Sequence, residues 1–152
     1  MQDIMDMETK PLKIAILSGK GGTGKTLVSV NLAAVSKNAC YIDCDVEEPN
    51  GYLFFKPEIN YEKEVTVKIP LIDESRCTAC RKCVEFCKFN ALAFIKKTPL
   101  VFEEVCHSCG GCLLVCPEQA ITEKERVIGK VQSGLFKDVT VYTGIMNPGE
   151  AS

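Results

Sequence analysis

The sequence of 152 residues has no apolar run approaching the roughly 18 residues needed to cross a bilayer, which excludes a helical membrane span. It has no basic excess: 18 Lys and Arg stand against 20 Asp and Glu, a net charge of -2, so it lacks the electrostatic footprint of a nucleic-acid binder. Met1 to Pro11 lack the basic start and apolar stretch of a secretion signal and read as a flexible leader, so the expected compartment is the cytoplasm. Aromatic residues are few, at 7%. The 46% hydrophobic and 25% charged content nevertheless belongs to a folded chain rather than a disordered one. Nothing is low-complexity, and histidine occurs once, at His107.

Cysteine is abundant, with ten residues. In a reducing cytoplasm they are ligands or buried thiols rather than disulfides. Eight fall between Cys77 and Cys116 in two matching groups, the one internal repeat. Cys40 and Cys44 lie far upstream and are expected to fill small buried sites.

The first part of the chain reads as α/β. Lys13 to Ser18 is an apolar run closed by glycine, a short buried strand. Val28, Leu32 and Val35 then recur at helical spacing, with Ala33 and Ala34 between, until Asn38 stops the pattern. Tyr41-Ile42-Asp43 is a second strand beginning near Ala39, and Glu47 to Gly51 is a loop. Strand, helix and strand over about 30 residues form a βαβ unit, which implies a parallel sheet. Later, Ala91 to Lys96 and Leu100 to Val105 are β-prone and expected to pair as a hairpin around Thr98-Pro99. Val127 to Val131 and Val139 to Tyr142 are strand-like, separated at Ser133-Gly134, and Asn147 to Ser152 is turn-like.

Gly19-Lys20-Gly21-Gly22-Thr23-Gly24-Lys25-Thr26 fits G-x4-G-K-[ST] between the expected strand and helix. Glycines there let consecutive backbone N–H groups close around phosphate oxygens, and the helix start adds its positive dipole end. Lys25 is placed to reach the β and γ phosphates of ATP, and the Thr26 hydroxyl to ligate Mg²⁺. Asp43 and Asp45 stand at a strand's C-terminal end, where a parallel sheet holds its ligands.

Cys77-x2-Cys80-x2-Cys83-x3-Cys87 is followed, after 18 residues, by Cys106-x2-Cys109-x2-Cys112-x3-Cys116-Pro117. Three thiolates at steps of three can cap one four-iron cubane, while the fourth, about a helical turn further on, points to the other cluster. By that rule Cys77, Cys80, Cys83 and Cys116 bind the first [4Fe–4S] cluster, and Cys106, Cys109, Cys112 and Cys87 the second. Soft thiolates also suit zinc, whose sites more often use two C-x2-C pairs across a longer loop. Gly110 and Gly111 are expected to bring backbone N–H groups close to the cluster, and His107 to be a surface residue or a neighbour of the ligands.

Lys20 to Thr26 resembles the deviant Walker A motif of the ATPases that include MinD, ParA and the nitrogenase iron protein. Val67 to Thr122 resembles a two-[4Fe–4S] ferredoxin, although Lys88 stands where the motif often has proline after Cys87. The order resembles MinD-superfamily ATPases with an inserted ferredoxin domain. The resemblance implies a leader at 1–11, a first ATPase part at 12–66, the insert at 67–123 and a return to the ATPase sheet at 124–152. It also implies that Lys20 reaches the partner's phosphates in a nucleotide-sandwich homodimer. By the same resemblance Asp45 is expected to orient the attacking water and sense Mg²⁺, with Asp43 in support. The family's second aspartate loop, D-x-x-G or D-x-P-P-G, does not occur, so the chain looks like an N-terminal portion of a longer ATPase.

Three functions follow: an ATP-dependent iron–sulfur protein driving electron transfer or docking to a redox or metalloenzyme partner, an ATP-gated metallochaperone or cluster scaffold, and a plain electron carrier with a vestigial P-loop.

Overall fold

The computed structural model describes residues 11–150. The expected leader therefore lies outside the described residues except for Pro11, as do Ala151 and Ser152. The chain is mixed α/β. It runs through α1 (Lys25–Val35), β1 (Cys40–Asp43), α2 (Gly51–Phe55), β2 (Glu58–Ile72), α3 (Lys82–Phe86), β3 (Leu92–Ile95), β4 (Thr98–Val101), α4 (Gly111–Leu114), β5 (Ile121–Phe136) and β6 (Val139–Met146), with a 3-10 turn at Glu103–Val105.

One sheet has the order β1-β6-β5-β2, and β3 and β4 form a separate hairpin. Among the described residues only β1 and β6 run parallel, with Tyr41 beside Val141. The expected partner of β1 is a different segment, because Lys13 to Ser18 forms no strand. These residues lie exposed apart from the half-buried Ile16, with no neighbouring strand to accept their hydrogen bonds.

The helix is where it was expected, but its buried face is not. Val30 is buried and Ala33 packs beside it, whereas Val28 and Val35 are 56% and 80% exposed. Apolar residues occupy two sides of α1, and the small-residue side meets the sheet. There Val30, Tyr41, Phe55, Val139 and Val141 form the core, with Phe136 packed against it. Strand alternation turns Tyr41 and Asp43 into this core and puts Cys40, Ile42 and Cys44 on the opposite face. Both upstream cysteines are consequently exposed, not buried.

The longest pairing is the antiparallel ribbon of β2 and β5, which runs from Glu58–Leu135 to Ile72–Ile121. It crosses both 66/67 and 123/124 without a break. Ser133 and Gly134 lie inside β5 rather than separating two strands. Gly134 is required by close approach, since a Cβ there would sit 2.5 Å from the Glu58 carbonyl oxygen. The reversal comes later, in a two-residue loop at Lys137-Asp138 between Phe136 and Val139. Similarly, the β3–β4 hairpin turns at Lys96-Lys97, with Lys96 at φ 61, and Pro99 sits within β4 opposite Phe94.

Residues 73–120, between the far ends of β2 and β5, fold with an approximate internal two-fold. A shift of 29 residues carries Cys77 onto Cys106 and relates the following pairs. The left-handed residues Ala79, Arg81 and Asn90 match Ser108, Gly110 and Gln119. The Asp73 N–H donates to the Ala120 carbonyl at 2.8 Å, and the Phe102 N–H donates to the Ala91 carbonyl at 2.8 Å. The Ile72–Ile121 rung of the ribbon likewise matches the Val101–Leu92 rung of the hairpin.

Candidate functional site

The glycine-rich segment leads directly into α1. Gly24 caps the helix at φ 87, a left-handed conformation that an L side chain resists, and no side chain closes this end. Gly21 and Gly22 form a hydrogen-bonded turn, and among the described residues no backbone carbonyl accepts from the N–H groups of Gly21, Gly22, Gly24 or Lys25. Open donors at a helix start are what an anion requires. Lys25 is half-buried, and its Nζ donates to Ser18 Oγ at 3.0 Å. The Ser18 hydroxyl donates in turn to the Lys20 carbonyl at 2.8 Å, and Thr23 Oγ1 donates to the same carbonyl at 3.3 Å. The lysine therefore folds back over its own loop. Gly19, Lys20, Gly21 and Gly22 are exposed, and Thr26 is half-buried in the first turn of α1.

Asp43 is buried at the end of β1, and both its oxygens are in use. Oδ2 accepts from the backbone N–H of Asn50 at 3.1 Å and of Gly51 at 2.7 Å, and Oδ1 accepts from Asp45 N–H at 3.2 Å. Asp43 thus closes the 44–50 loop, the capping role that a strand-end aspartate offers in the sequence, and holds the start of α2. Asp45 is exposed, with Oδ1 accepting from Glu48 N–H at 3.4 Å. Of the two aspartates, Asp45 is the one facing water.

The eight downstream cysteines surround two cavities. Cys77, Cys80, Cys83 and Cys116 line a narrow one of about 20 Å³. Cys87, Cys106, Cys109 and Cys112 line a wider one of about 220 Å³. Each cavity thus takes three thiols from one sequence group and the fourth from the other, because the internal two-fold exchanges the ends of the short helices α3 and α4. Burial raises the Cys83 thiol pKa, and the nearby Cys116 and Cys80 add to the shift. Burial pushes Cys112 up to about 11, with Cys106 and Cys109 adding to it. The Ala120 N–H donates to Cys116 Sγ at 3.3 Å.

A ring of four thiols is the donor set of a [4Fe–4S] cluster, so the residues present fit that group. The second cavity has room as well as donors; in the first, the surrounding side chains must part to admit a cluster. Among the described residues, no three His, Cys, Asp or Glu side chains converge closely enough to grip one metal ion. Sequence reading also missed the aromatic lining of the second cavity. Phe86 and Phe89 flank Cys87, and the exposed His107 stacks on Phe89 with ring centroids 3.9 Å apart. Two phenylalanines bracketing a ligand cysteine were the available signal.

Residues 14–143 match the CobQ/CobB/MinD/ParA nucleotide binding domain. An uncharacterized protein of Methanocaldococcus jannaschii is 40% identical over 88 residues, 56% of this chain and 32% of that protein. A second uncharacterized protein of that organism is 32% identical over 141 residues, 90% of this chain and 50% of its own length. An iron-sulfur cluster carrier protein from the same organism is 52% identical over 42 residues, 25% of this chain and 14% of the carrier. The chain spans half or less of the length of each of these relatives. No helix among the described residues is long and apolar enough to cross a membrane.

Proposed function

The chain belongs to the CobQ/CobB/MinD/ParA nucleotide-binding domain family, and on that premise we propose that it is an ATP-binding iron–sulfur protein in which nucleotide state controls electron transfer or the docking of a redox partner. The observation that carries this reading is the crossed placement of eight cysteines, four around each cavity, in a unit borne on the β2–β5 ribbon, which belongs to the sheet that packs against α1, the helix into which the glycine-rich loop leads.

In this reading residues 73–120 form a ferredoxin unit with two [4Fe–4S] clusters, Cys77, Cys80, Cys83 and Cys116 holding one and Cys87, Cys106, Cys109 and Cys112 the other. When bound, the clusters supply one-electron storage. The chain's own residues do the rest. Lys25 leaves Ser18 to meet the β and γ phosphates, while the open N–H groups of Gly21, Gly22 and Gly24 surround the phosphate oxygens. Thr26 ligates Mg²⁺. Asp45, free at the surface, orients water in the complete protein, and Asp43 supports it by keeping the 44–50 loop closed. Lys20 crosses to a second protomer's phosphates in a sandwich dimer.

Anaerobic purification tests the reading. Protein carrying about eight irons and eight sulfides supports it. Stoichiometric zinc without a visible chromophore overturns it.

The similarity to an iron-sulfur cluster carrier protein favours a second reading, in which ATP gates delivery of a cluster as cargo. The two differ in retention. A relay keeps both clusters when mixed with an apo-acceptor protein, and a carrier gives one up.

A further inference from the structure

Beyond Met146, the last residue of β6, the chain keeps running beside β5 without forming a ladder. The Asn147 N–H donates to the Ile128 carbonyl at 2.9 Å, and its side-chain amide donates to the Val127 carbonyl at 3.2 Å. Gly149 is left-handed at φ 86, and the Glu150 N–H donates back to the Asn147 carbonyl at 3.2 Å. This turn brings the Glu150 carboxylate to Arg126 on β5, which grips it with both terminal nitrogens, Nη1 on Oε1 and Nη2 on Oε2 at 2.8 Å. The two side chains are 16% and 12% exposed, while the other three ion pairs among the described residues are much more open to solvent. A bidentate pair sheltered from water is held more firmly than those. Residues 147–150 therefore form a strap, fastened at its end.

Each end of the strap meets an element that already has a task. Where it begins, the Met146 N–H donates to the Val46 carbonyl at 2.9 Å, and Gly144 lies so close that a Cβ there would sit 2.8 Å from Val46 Cγ1. Val46 follows Asp45, so the aspartate loop rests against the start of the strap. Where it ends, Arg126 shares a face of β5 with Lys124, two residues before it, and Lys124 Nζ holds Glu103 at 2.6 Å. Glu103 and Glu104 open the 3-10 turn leading to Cys106, whose N–H donates to the Glu103 carbonyl at 3.3 Å. Contacts thus run from the aspartate loop, through the strap, to the turn that places a thiol of the second cavity.

Arg126 is not fully satisfied in this position. Its Nε is buried and has no acceptor, a state that native sites seldom keep without a use. The hydrogen bonds to Glu150, and then the charges of Glu150, Glu104 and Glu103, hold the guanidinium above its ordinary pKa. Glu103 is already taken by Lys124, whereas Glu104 is exposed and joins none of the ion pairs among the described residues. Glu104 is therefore the open acceptor in the guanidinium's field.

We propose that Arg126 is a latch with two positions. On Glu150 it holds the strap, and with it the aspartate loop, against β5; on Glu104 it frees the strap and fastens the turn before Cys106 instead. The same two nitrogens cannot grip both carboxylates, so the two elements compete for one side chain. This rests on the function proposed above and deepens it, naming Arg126 as the positioning residue through which nucleotide state and the cysteine unit affect each other.

The test uses the full-length protein and hydrogen–deuterium exchange read by mass spectrometry over 44–50, 102–107 and 143–150. Glu150→Gln and Glu104→Gln, which keep the side-chain shape, are each compared with wild type. Glu150→Gln is expected to speed exchange at 143–150 and 44–50 by about fivefold or more and to slow it at 102–107, because Arg126 passes to Glu104. Glu104→Gln should speed exchange at 102–107 and leave the strap fastened. A pair that is only structural loosens its own site alone, so exchange at 102–107 that is unchanged or faster in Glu150→Gln overturns the latch. The exchanged pair, Arg126→Glu with Glu150→Arg, restores the strap but repels Glu104. In wild type Mg-ATP should alter exchange at both 44–50 and 102–107, and in the exchanged pair at 44–50 alone. Mg-ATP that binds wild type without changing 102–107, or a response kept there in the exchanged pair, overturns the proposal. Protein that holds no iron or binds no Mg-ATP ends the function proposed above instead, and the opposite responses of the two single variants still decide the latch.

Discussion

Gly51 donates its backbone N–H to Asp43 Oδ2 at 2.7 Å, joining the end of β1 to the start of α2. Four residues later, at the other end of that helix, Phe55 is 1% exposed. Its ring lies 5.1 Å from Tyr41 on β1 and 5.9 Å from Phe136, the last residue of β5. Lys56, left-handed at φ 47, then releases the chain into β2. One short helix therefore touches the aspartate loop at one end and the root of the cysteine-bearing ribbon at the other.

Replacing Asp43 with Ala leaves the Asn50 and Gly51 N–H groups without their acceptor. A loss of about 2–3 kcal/mol is expected from removing a charged, buried acceptor. Urea denaturation measures it, and an unchanged midpoint means that the loop is closed by something else.

Phe55 should matter beyond stability. Phe55→Ala is expected to cost about 3–5 kcal/mol as a core truncation, so the informative variant is Phe55→Leu, which keeps most of the volume. In the full-length protein, Mg-ATP should shift a cluster potential by tens of millivolts. Coupling energies are commonly about 1–3 kcal/mol, and ~59 mV is a tenfold change for one electron. By reciprocity nucleotide affinity must differ between redox states. Phe55→Leu should shrink both effects together while leaving nucleotide binding to the oxidised protein in place. Potentiometry with and without Mg-ATP decides; identical potentials in the wild type mean two independent modules.

Lys25→Ala should abolish Mg-nucleotide binding, since the loop's other ammonium, Lys20, is directed in this reading to a second protomer's phosphates. Asp45→Asn should spare binding and stop turnover in the complete protein. A fluorescent nucleotide titration and a phosphate-release assay separate the two, and normal turnover in Asp45→Asn would strip that residue of its role.

Cys87→Ala should damage the cluster of the second cavity, although Cys87 belongs to the first sequence group. Iron analysis and the spectrum of the surviving cluster report which one is lost. Survival of the second with loss of the first reverses the pairing.

What the sequence disclosed depended on whether a signal was local. The thiol spacing is such a signal, and the structure gathers Cys116 with Cys77, Cys80 and Cys83. The glycine-rich loop and α1 are equally local. The β2 half of the ribbon was missed despite a period of two in Ile59, Tyr61, Val65, Val67, Ile69 and Leu71, because Lys63 interrupts the series, Pro70 sits within it and most of β2 stays exposed. Gly134 reads as a breaker in one dimension, and only its approach to the Glu58 carbonyl explains it as a strand residue. Val28 and Val35 obey helical spacing, yet which of two apolar sides of α1 is covered depends on where the sheet lies. Lys13 to Ser18 has a strand's composition without a neighbouring strand, and composition alone supplies no ladder.

The exchange of a fourth cysteine between the two halves of the cysteine unit has a consequence for biosynthesis. A chain leaving the ribosome presents Cys77, Cys80 and Cys83 early, but their cavity lacks its fourth wall until Cys116 has emerged. The second cavity borrows backward, from Cys87, and waits only for Cys112. Metal delivered cotranslationally would meet the later group complete first, so loading should run against the order of the sequence.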